Sequence, residues 1–413
     1  MTTAANASLA DDALACIDPA DPHPIYAELR ERAPIHWSRS LNGWVLTRYD
    51  DVRRVLNDDD FKPGSPATHI ARLGQRGGPA LTHLTAVLAS IERLADAERA
   101  PSMRRLFFSW LGSWRKMGLA EKIAQRASAL LAAGQSAGHI DLGVGYGRKL
   151  AAFTVCSVFG LSESEHAELS DSVGILSCLS FKLHPLRELV RMESEAARIM
   201  SRFRALIQAR RIRMGDDGLS SMLRAADADG GWTDDELAGS CAFFLGAARE
   251  TTATAIAACA VRLLKDPLLL TRLRAEPAIR AVALRELLRL ITPFQFVGRR
   301  ARRDKFIAGQ EIRSGQSVCV LLAAANRDPS VFPEPDKVDL DRQGPEPLTF
   351  GSGEMRCLGE QLGRLEVGLA IDRLLEHPDL RLSGEPVVWG KATQMLELRH
   401  VPAVFGPMGT GRG

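Results

Sequence analysis

The 413-residue sequence contains no run of about 18 or more apolar residues, which is the length that a membrane-spanning helix needs. It also has little net charge, because 53 lysine and arginine residues oppose 50 aspartate and glutamate residues, giving +3. This charge is too weak to favour nucleic acid or an anionic membrane as a partner. The N-terminal residues have neither a basic stretch nor an apolar core, which argues against a secretory signal peptide. These absences predict a cytoplasmic globular protein that binds neither nucleic acid nor membranes.

Paired cysteines are missing as well. The seven cysteines are widely spaced, and none forms the Cys-x-x-Cys or Cys-x-His pairs that are typical of zinc sites and redox pairs. Most of them lie in apolar segments, where a free cysteine behaves as a small buried hydrophobe in a reducing compartment. Cys357 differs from the others, because it lies in the glycine-rich stretch FGSGEMRCLG.

This stretch, residues 350–359, places one cysteine among three glycines. Glycines permit unusual backbone angles and allow a flat or bulky group to approach. A helix predicted over 358–376 follows, and its macrodipole and free amides are expected to lower the pKa of the Cys357 thiol. Cys357 could be a nucleophile, a metal ligand or a stray thiol. No histidine lies nearby to act as its base, and zinc needs more ligands, whereas one thiolate suits an axial bond to haem iron.

Hydrophobic periodicity predicts a mainly α-helical chain with a small β part formed by both ends. Strands are expected around Asn42-Gly43 and again after about residue 295, and residues 62–95 are predicted as a long loop. Residues 234–265 are apolar nearly all round, which is typical of a helix buried through a domain centre. Other helices are expected near 98–110, 119–134, 146–160, 163–180, 187–214 and 278–290. The prediction is one domain over residues 18–404, with a disordered or loosely ordered N-terminus over 1–17 and a flexible tail over 405–413.

FGSGEMRCLG resembles the haem-binding signature of the cytochrome P-450 superfamily, Phe-x-x-Gly-x-x-x-Cys-x-Gly. The resemblance is to the soluble bacterial members, and it includes Glu286 and Arg289 in ALRELLRL, with Arg342 as their third, structural partner. Spacing alone would also fit a surface salt bridge between Glu286 and Arg289. The resemblance implies the P-450 fold, a triangular prism with a long central helix, and haem b with the Cys357 thiolate as axial ligand. It also implies contacts to the cofactor from Phe350, Gly351, Gly353 and Gly359, and from Arg356, which could instead face the redox partner.

The segment GAARETTA is similar to the acid–alcohol pair of the family's central helix. By this resemblance, Glu250 and Thr251 are catalytic residues of a proton relay for oxygen activation. A threonine that bonds back to its own helix and a solvent-facing glutamate would fit the same residues without that role. The preceding Arg249 is expected to face another helix rather than the substrate.

Three positions depart from the family pattern. Met355 replaces a histidine or arginine that contacts a haem propionate, Ala100 replaces the histidine four residues before Arg104, and Ala248 replaces the glycine of the oxygen groove. Arg104 and Arg299 remain as the expected propionate partners, since arginine suits carboxylates. Ala248 is still expected to lie against the cofactor, where its methyl group would narrow the oxygen site.

The resemblance implies a monooxygenase that inserts one atom of O2 into a small or medium-sized organic substrate, such as a compound of secondary metabolism. No flavin or iron–sulfur domain is evident, so electrons are expected from a separate ferredoxin and an NAD(P)H-dependent ferredoxin reductase. The protein is expected to be a monomer. A peroxide-driven peroxygenase and a haem-binding auxiliary or sensor protein without turnover remain as alternatives. The substrate pocket is expected to include Leu245, Ala247, Phe294, Val297 and Met395.

Overall fold

The computed structural model describes residue 18 and residues 20–64, 67, 70, 78–162, 165, 169, 185–390 and 394–406. The predicted disorder of 1–17, nearly all of the helix predicted over 163–180 and the tail after residue 406 lie outside these residues. The α-helices are α1 (His23–Arg32), α2 (Tyr49–Asn57), α3 (Thr82–Ala95), α4 (Ala100–Lys116), α5 (Leu119–Ala137), α6 (Lys149–Phe159), α7 (Leu186–Ile212), α8 (Gly218–Asp229), α9 (Asp234–Leu264), α10 (Pro267–Ala275), α11 (Arg280–Ile291), α12 (Leu322–Ala325) and α13 (Glu360–Leu375). None of these helices has the length and apolarity that a membrane crossing requires.

The β part is small and joins segments from opposite ends of the chain. The strands are β1 (Ile35–Ser38), β2 (Gly43–Leu46), β3 (Phe61–Lys62), β4 (His139–Asp141), β5 (Val297–Ala301), β6 (Lys305–Ile307), β7 (Gln310–Ile312), β8 (Ser317–Val320), β9 (Arg381–Leu382), β10 (Val388–Trp389), β11 (Leu398–His400) and β12 (Pro402–Val404). The largest sheet has the order β1-β2-β8-β5-β3, in which only β2 and β8 run parallel. The mainly α-helical fold with a small β part is therefore confirmed.

The long helix α9 is the central element of the fold. It begins with a capping box, in which the Thr233 side chain accepts from the Glu236 amide and the Glu236 side chain accepts from the Thr233 amide. Most of its 31 residues are buried, and α3, α6, α7, α11 and α13 pack around it. A Cβ on Gly239 would lie only 2.9 Å from the Ala86 carbonyl oxygen of α3, so the glycine allows close packing there. The helix predicted over 234–265 is thus confirmed.

Four helices were not predicted from the sequence, namely α3, α8, α10 and the short α12. The predicted loop over 62–95 is wrong in its second half, where α3 forms. The Glu193 carboxylate of α7 accepts hydrogen bonds from the His83 and Leu84 amides at the start of α3, and such a cap from a distant helix leaves no local signal. Helices α8 and α10 did have a local signal in the sequence, because Asp217 and Asp266 cap their first turns through their side chains.

Candidate active site

The loop that carries Cys357 is fixed in shape by its glycines and by main-chain hydrogen bonds. Gly351 and Gly353 have φ angles of 73° and 71°, in the left-handed region that other residues rarely adopt. Gly353 also has no room for a side chain, since a Cβ there would lie 2.3 Å from the Leu56 carbonyl oxygen in α2. The Cys357 N–H donates to the Phe350 carbonyl at 2.8 Å. These constraints place Cys357 just before α13.

Protein surrounds most of Cys357, and the surface that stays exposed lines cavities on more than one side of the residue. Burial raises the pKa of its thiol, whereas the Gly359 and Glu360 amides and the nearby Arg356 guanidinium lower it by less. A lowered pKa was expected for Cys357 from the sequence, and this was wrong in direction. The cost of desolvating the thiolate raises the pKa by more than the amides at the helix end lower it. Direct bonding to a metal is what deprotonates such a thiol.

Two adjoining cavities of about 250 Å³ each form a slot between the Cys357 loop and the middle of α9. Together they have the size of a small-molecule or cofactor site. The residues that line both cavities are Thr251 and Thr252 from α9 and Phe350, Met355, Cys357 and Gly363 from the opposite side. A Cβ added to Gly363 would meet nothing nearer than the Phe350 ring, at 3.9 Å. The slot can therefore accept a flat cofactor over the sulfur, as haem requires.

The structure brings most of the predicted site residues to this slot. In addition to those that line both cavities, the first cavity is lined by Arg104, Ala247, Ala248, Arg356 and Gly359, and the second by Phe294, Val297, Arg299 and Gly351. Gly353 packs on α2 instead. Two predicted pocket residues do not reach either cavity: Leu245 is 2 % exposed and lies in the main core, and Met395 pairs with Phe294 in a β-bridge.

Arg299 is a buried cation without a matching carboxylate among the described residues. Its side chain in β5 is almost fully buried, and its Nη1 donates to the Gly298 carbonyl at 2.8 Å. Burial lowers the pKa of Arg299 to about 10, so the guanidinium still carries its charge at neutral pH. A buried charge of this kind is costly unless it is paired. A cofactor carboxylate entering the second cavity would supply the partner, which fits the propionates of haem.

Thr251 and Glu250 occupy different environments in the middle of α9. The Thr251 hydroxyl donates to the Ala247 carbonyl at 2.9 Å and lines both cavities. The Glu250 side chain is mostly buried and forms an ion pair with Arg249, whose Nε and Nη2 lie 2.9 and 2.7 Å from the same oxygen, Oε1. Glu250 is thus not solvent-facing. Arg249 also donates to the Leu169 carbonyl at 3.4 Å and lines neither cavity, so it faces away from the slot.

Glu286, Arg289 and Arg342 form a buried ionic cluster, which excludes a surface salt bridge. Their side chains are 2 % exposed or less, and Glu286 contacts Arg289 Nε at 2.8 Å and Arg342 Nε at 2.9 Å. Burial raises the pKa of Glu286, but hydrogen bonds from both arginines and the Asp339 amide lower it more. The carboxylate is therefore ionised, so the cluster contains one negative charge between two positive charges.

The two arginines of this cluster tie the proline-rich segment to α11. Arg289 donates to the carbonyls of Asn326, Pro335 and Lys337, and Arg342 donates to that of Pro333. Asn326 continues this network toward the Cys357 loop by accepting from the Leu348 amide at 2.6 Å. The cluster is thus linked by hydrogen bonds through Asn326 to the segment that leads into the Cys357 loop.

Glu366 is a buried acid in α13 that the sequence did not mark as a site residue. It is 3 % exposed, it lines the first cavity, and its Oε1 has no hydrogen-bond partner among the described residues. Burial raises the pKa of Glu366 to about 8 from an ordinary value of 4.5. The signal was present in LEVGLA, where an acid interrupts the apolar face of a helix.

This raised pKa predicts how stability depends on pH. Folded protein keeps the Glu366 proton where the unfolded chain has lost it, so the free energy of unfolding should fall as pH rises from about 4.5 to about 8. The change is on the order of 4 kcal/mol. Glu366→Gln removes this loss, so the variant should be more stable than wild type at pH 8 and equal to it at pH 4.5. Urea unfolding at both pH values checks this, with exposed Glu385→Gln as control. Parallel pH profiles for Glu366→Gln and wild type would contradict it.

Comparison with known proteins identifies the family. The family model described as Cytochrome P450 matches residues 186–396. The chain is 30% identical over 367 residues to the biotin biosynthesis cytochrome P450 of Bacillus subtilis (strain 168), covering 88% of this chain and 91% of that protein. It is 31% identical over 372 residues to cytochrome P450-SU2 of Streptomyces griseolus, covering 88% of each.

Solved structures agree with this result. A crystal structure of P450BioI in complex with an acyl carrier protein that carries hexadec-9Z-enoic acid matches with a TM-score of 0.83 and 29% identity, over 94% of this chain and 99% of that one. The crystal structure of CalO2 matches with a TM-score of 0.82 and 27% identity, over 94% and 97%. The chain therefore belongs to the cytochrome P450 family of haem-thiolate monooxygenases.

Proposed function

We propose that the slot binds haem b with the Cys357 thiolate as axial ligand, within a single domain over residues 18–404. The observation that carries this proposal is the position of Cys357 in the slot, with the Thr251 hydroxyl on the opposite wall and the unmatched Arg299 at one side. Arg299 would bind a propionate, and the bare backbone at Gly359 and Gly363 would let the macrocycle lie close to the sulfur. Bound haem would supply oxygen activation, with the thiolate donating electron density to the iron.

Glu250 and Thr251 would handle the protons of this reaction. Arg249 Nε and Nη2 both contact Oε1 of Glu250, so Oε2 would be the oxygen that takes or passes a proton. The Thr251 hydroxyl lies one helical position further, inside the slot. Its own proton is engaged by the Ala247 carbonyl, so its oxygen would act toward the slot as an acceptor from water. The pair can thus pass protons from the Glu250 side of α9 into the slot.

The substrate would be a small or medium-sized apolar molecule. Aromatic and aliphatic side chains dominate the walls of the first cavity, among them Leu94, Phe107, Trp110, Phe243 and Phe244, so any space that haem leaves open there would be apolar. The ferredoxin, its reductase and a monomeric state are part of the same proposal. The similar structure with hexadec-9Z-enoic acid makes the free form of that acid a suitable first probe substrate.

Thr251→Ala should separate oxygen consumption from product formation. Without the hydroxyl, proton delivery is expected to fail, so product should fall by roughly tenfold or more while hydrogen peroxide is released. The measurement compares peroxide and oxidised hexadec-9Z-enoic acid per NADH, with a ferredoxin and its reductase supplied. Thr254→Ala is the matched control, since Thr254 is buried in the same helix but bonds to the Leu396 carbonyl and lines neither cavity.

The outcomes also separate the alternative functions. A Thr251→Ala variant that retains the coupling of wild type would contradict the proton relay. Product formed from peroxide at the same rate without any reductase would instead support a peroxygenase. A protein that binds haem and no substrate, and that consumes no oxygen with either variant, would support a sensor or auxiliary role.

A further inference from the structure

Glu354 places a carboxylate at the edge of the slot, in the stretch GEMRC that also contains Cys357. Two cations hold it: Lys62 Nζ lies 2.6 Å from Oε2, and Arg104 Nη1 lies 3.3 Å from Oε1. The hydrogen bond from Lys62 is the main reason that the pKa of Glu354 lies below its usual value, and Arg104 adds to it. Arg104 is also fixed in place by a hydrogen bond from Nη2 to the Glu354 carbonyl at 2.9 Å.

The two arginines at the slot are therefore not equivalent. Arg104 and Glu354 line the first cavity, where the guanidinium already has a carboxylate partner. Arg299 lines the second cavity, almost fully buried, and has only a main-chain acceptor among the described residues. Met355, which lines both cavities, adds no charge between them. Of Arg104 and Arg299, only Arg299 lacks a carboxylate partner among the described residues.

We propose that Glu354 acts as an internal substitute for a cofactor carboxylate at Arg104, so that the slot holds the two propionates of haem unequally. Arg299 binds one propionate. The second propionate meets an Arg104 that Glu354 already engages, so two carboxylates compete for one guanidinium. Glu354 thus weakens the retention of haem, and this inference rests on the proposed binding of haem at Cys357.

The direct test is the rate at which the holoprotein transfers haem to excess apomyoglobin. Glu354→Gln keeps the size of the side chain, removes its charge and leaves the main-chain bond to Arg104 intact. It should slow transfer by about three- to tenfold, because Arg104 becomes available to the second propionate. The difference in transfer rate between Glu354→Gln and wild type should shrink at high salt, because salt screens charges. Glu354→Ala is a second variant that should also slow haem transfer.

Two further comparisons isolate the carboxylates as the cause. Arg104→Gln alone should change the rate of haem transfer by less than about twofold relative to wild type. Combined with Glu354→Gln, it should abolish the slower transfer that Glu354→Gln causes. Reconstitution with the dimethyl ester of haem, which has no propionate charge, should leave Glu354→Gln and wild type equal. Arg299→Gln should speed the transfer of haem in every background.

The spectrum of each reduced protein with carbon monoxide distinguishes failure of the proposed haem ligation from failure of the role of Glu354. A wild type without a red-shifted Soret band would overturn the ligation by Cys357 and this inference with it. If every variant shows that band but Glu354→Gln loses haem as fast as wild type, only the role of Glu354 is overturned. That role is also overturned if Arg104→Gln speeds haem loss equally in wild type and in Glu354→Gln.

Discussion

Serine in place of Cys357 is expected to abolish the red-shifted Soret band of the reduced, carbon monoxide-bound protein completely. A serine hydroxyl is far less acidic than a thiol and donates little electron density to iron, so the thiolate signature depends on this one sulfur. Turnover of hexadec-9Z-enoic acid with ferredoxin and reductase should be lost with it. The measurement is the carbon monoxide difference spectrum after reduction with dithionite, normalised to the haem content of each protein.

A matched control distinguishes ligation from a general effect of removing a thiol. Cys319→Ala changes a cysteine of β8 that is 3 % exposed and lines neither cavity, so the Soret band should remain. Far-UV circular dichroism should be unchanged in both variants. A Cys357→Ser protein that retained the red-shifted band would show that another side chain ligates the iron.

Glutamine in place of Glu286 is expected to lower the free energy of unfolding by about 3–5 kcal/mol. The substitution leaves Arg289 and Arg342 buried with two positive charges and no anion between them, while their bonds to main-chain carbonyls hold them in place. The cost arises from an uncompensated buried charge and not from the loss of one hydrogen bond. Equilibrium unfolding of the holoprotein in guanidinium chloride, followed by circular dichroism, measures it.

The control breaks an ion pair at the surface. Arg280 Nη1 lies 3.2 Å from Asp372 Oδ1, with side chains that are 29% and 35% exposed. Asp372→Asn should therefore cost less than about 1 kcal/mol, because water compensates both groups. If Glu286→Gln proved as mild as Asp372→Asn, the cluster would not hold the proline-rich segment in the way that its geometry indicates.

Much of the fold was predictable because its signals are local. The apolar composition of residues 234–265 predicted α9, and the residues around Cys357 predicted the loop. Which side chains of α9 face the slot was predictable only in part. Phe243, Phe244, Ala247, Ala248, Thr251 and Thr252 line the slot at a helical spacing, whereas Leu245 lies on another face of a helix that is apolar nearly all round. Such a helix gives no amphipathic pattern that would fix its orientation.

Other features depend on residues that are far apart in the sequence. The net pKa of Cys357 follows from how much protein surrounds it, and a helix-end argument alone predicted the opposite direction. The start of α3 depends on Glu193, which is 110 positions from His83. Glu354 lies 292 positions from Lys62 and 250 from Arg104 in the sequence, and only the fold brings these side chains together. These are tertiary properties that no local pattern contains.

The pairing of β2 with β8 sets an order of events during synthesis of the chain. Leu46 lies opposite Val320, which the ribosome adds 274 residues later. At about 5–20 residues per second, the β1–β2 hairpin therefore waits roughly 14–55 seconds for its parallel neighbour. During that time one edge of β2 has unpaired amides and carbonyls, next to apolar residues that the sheet will later cover. We therefore expect the nascent chain to be exposed to pairing with other strands at this edge until β8 has been made.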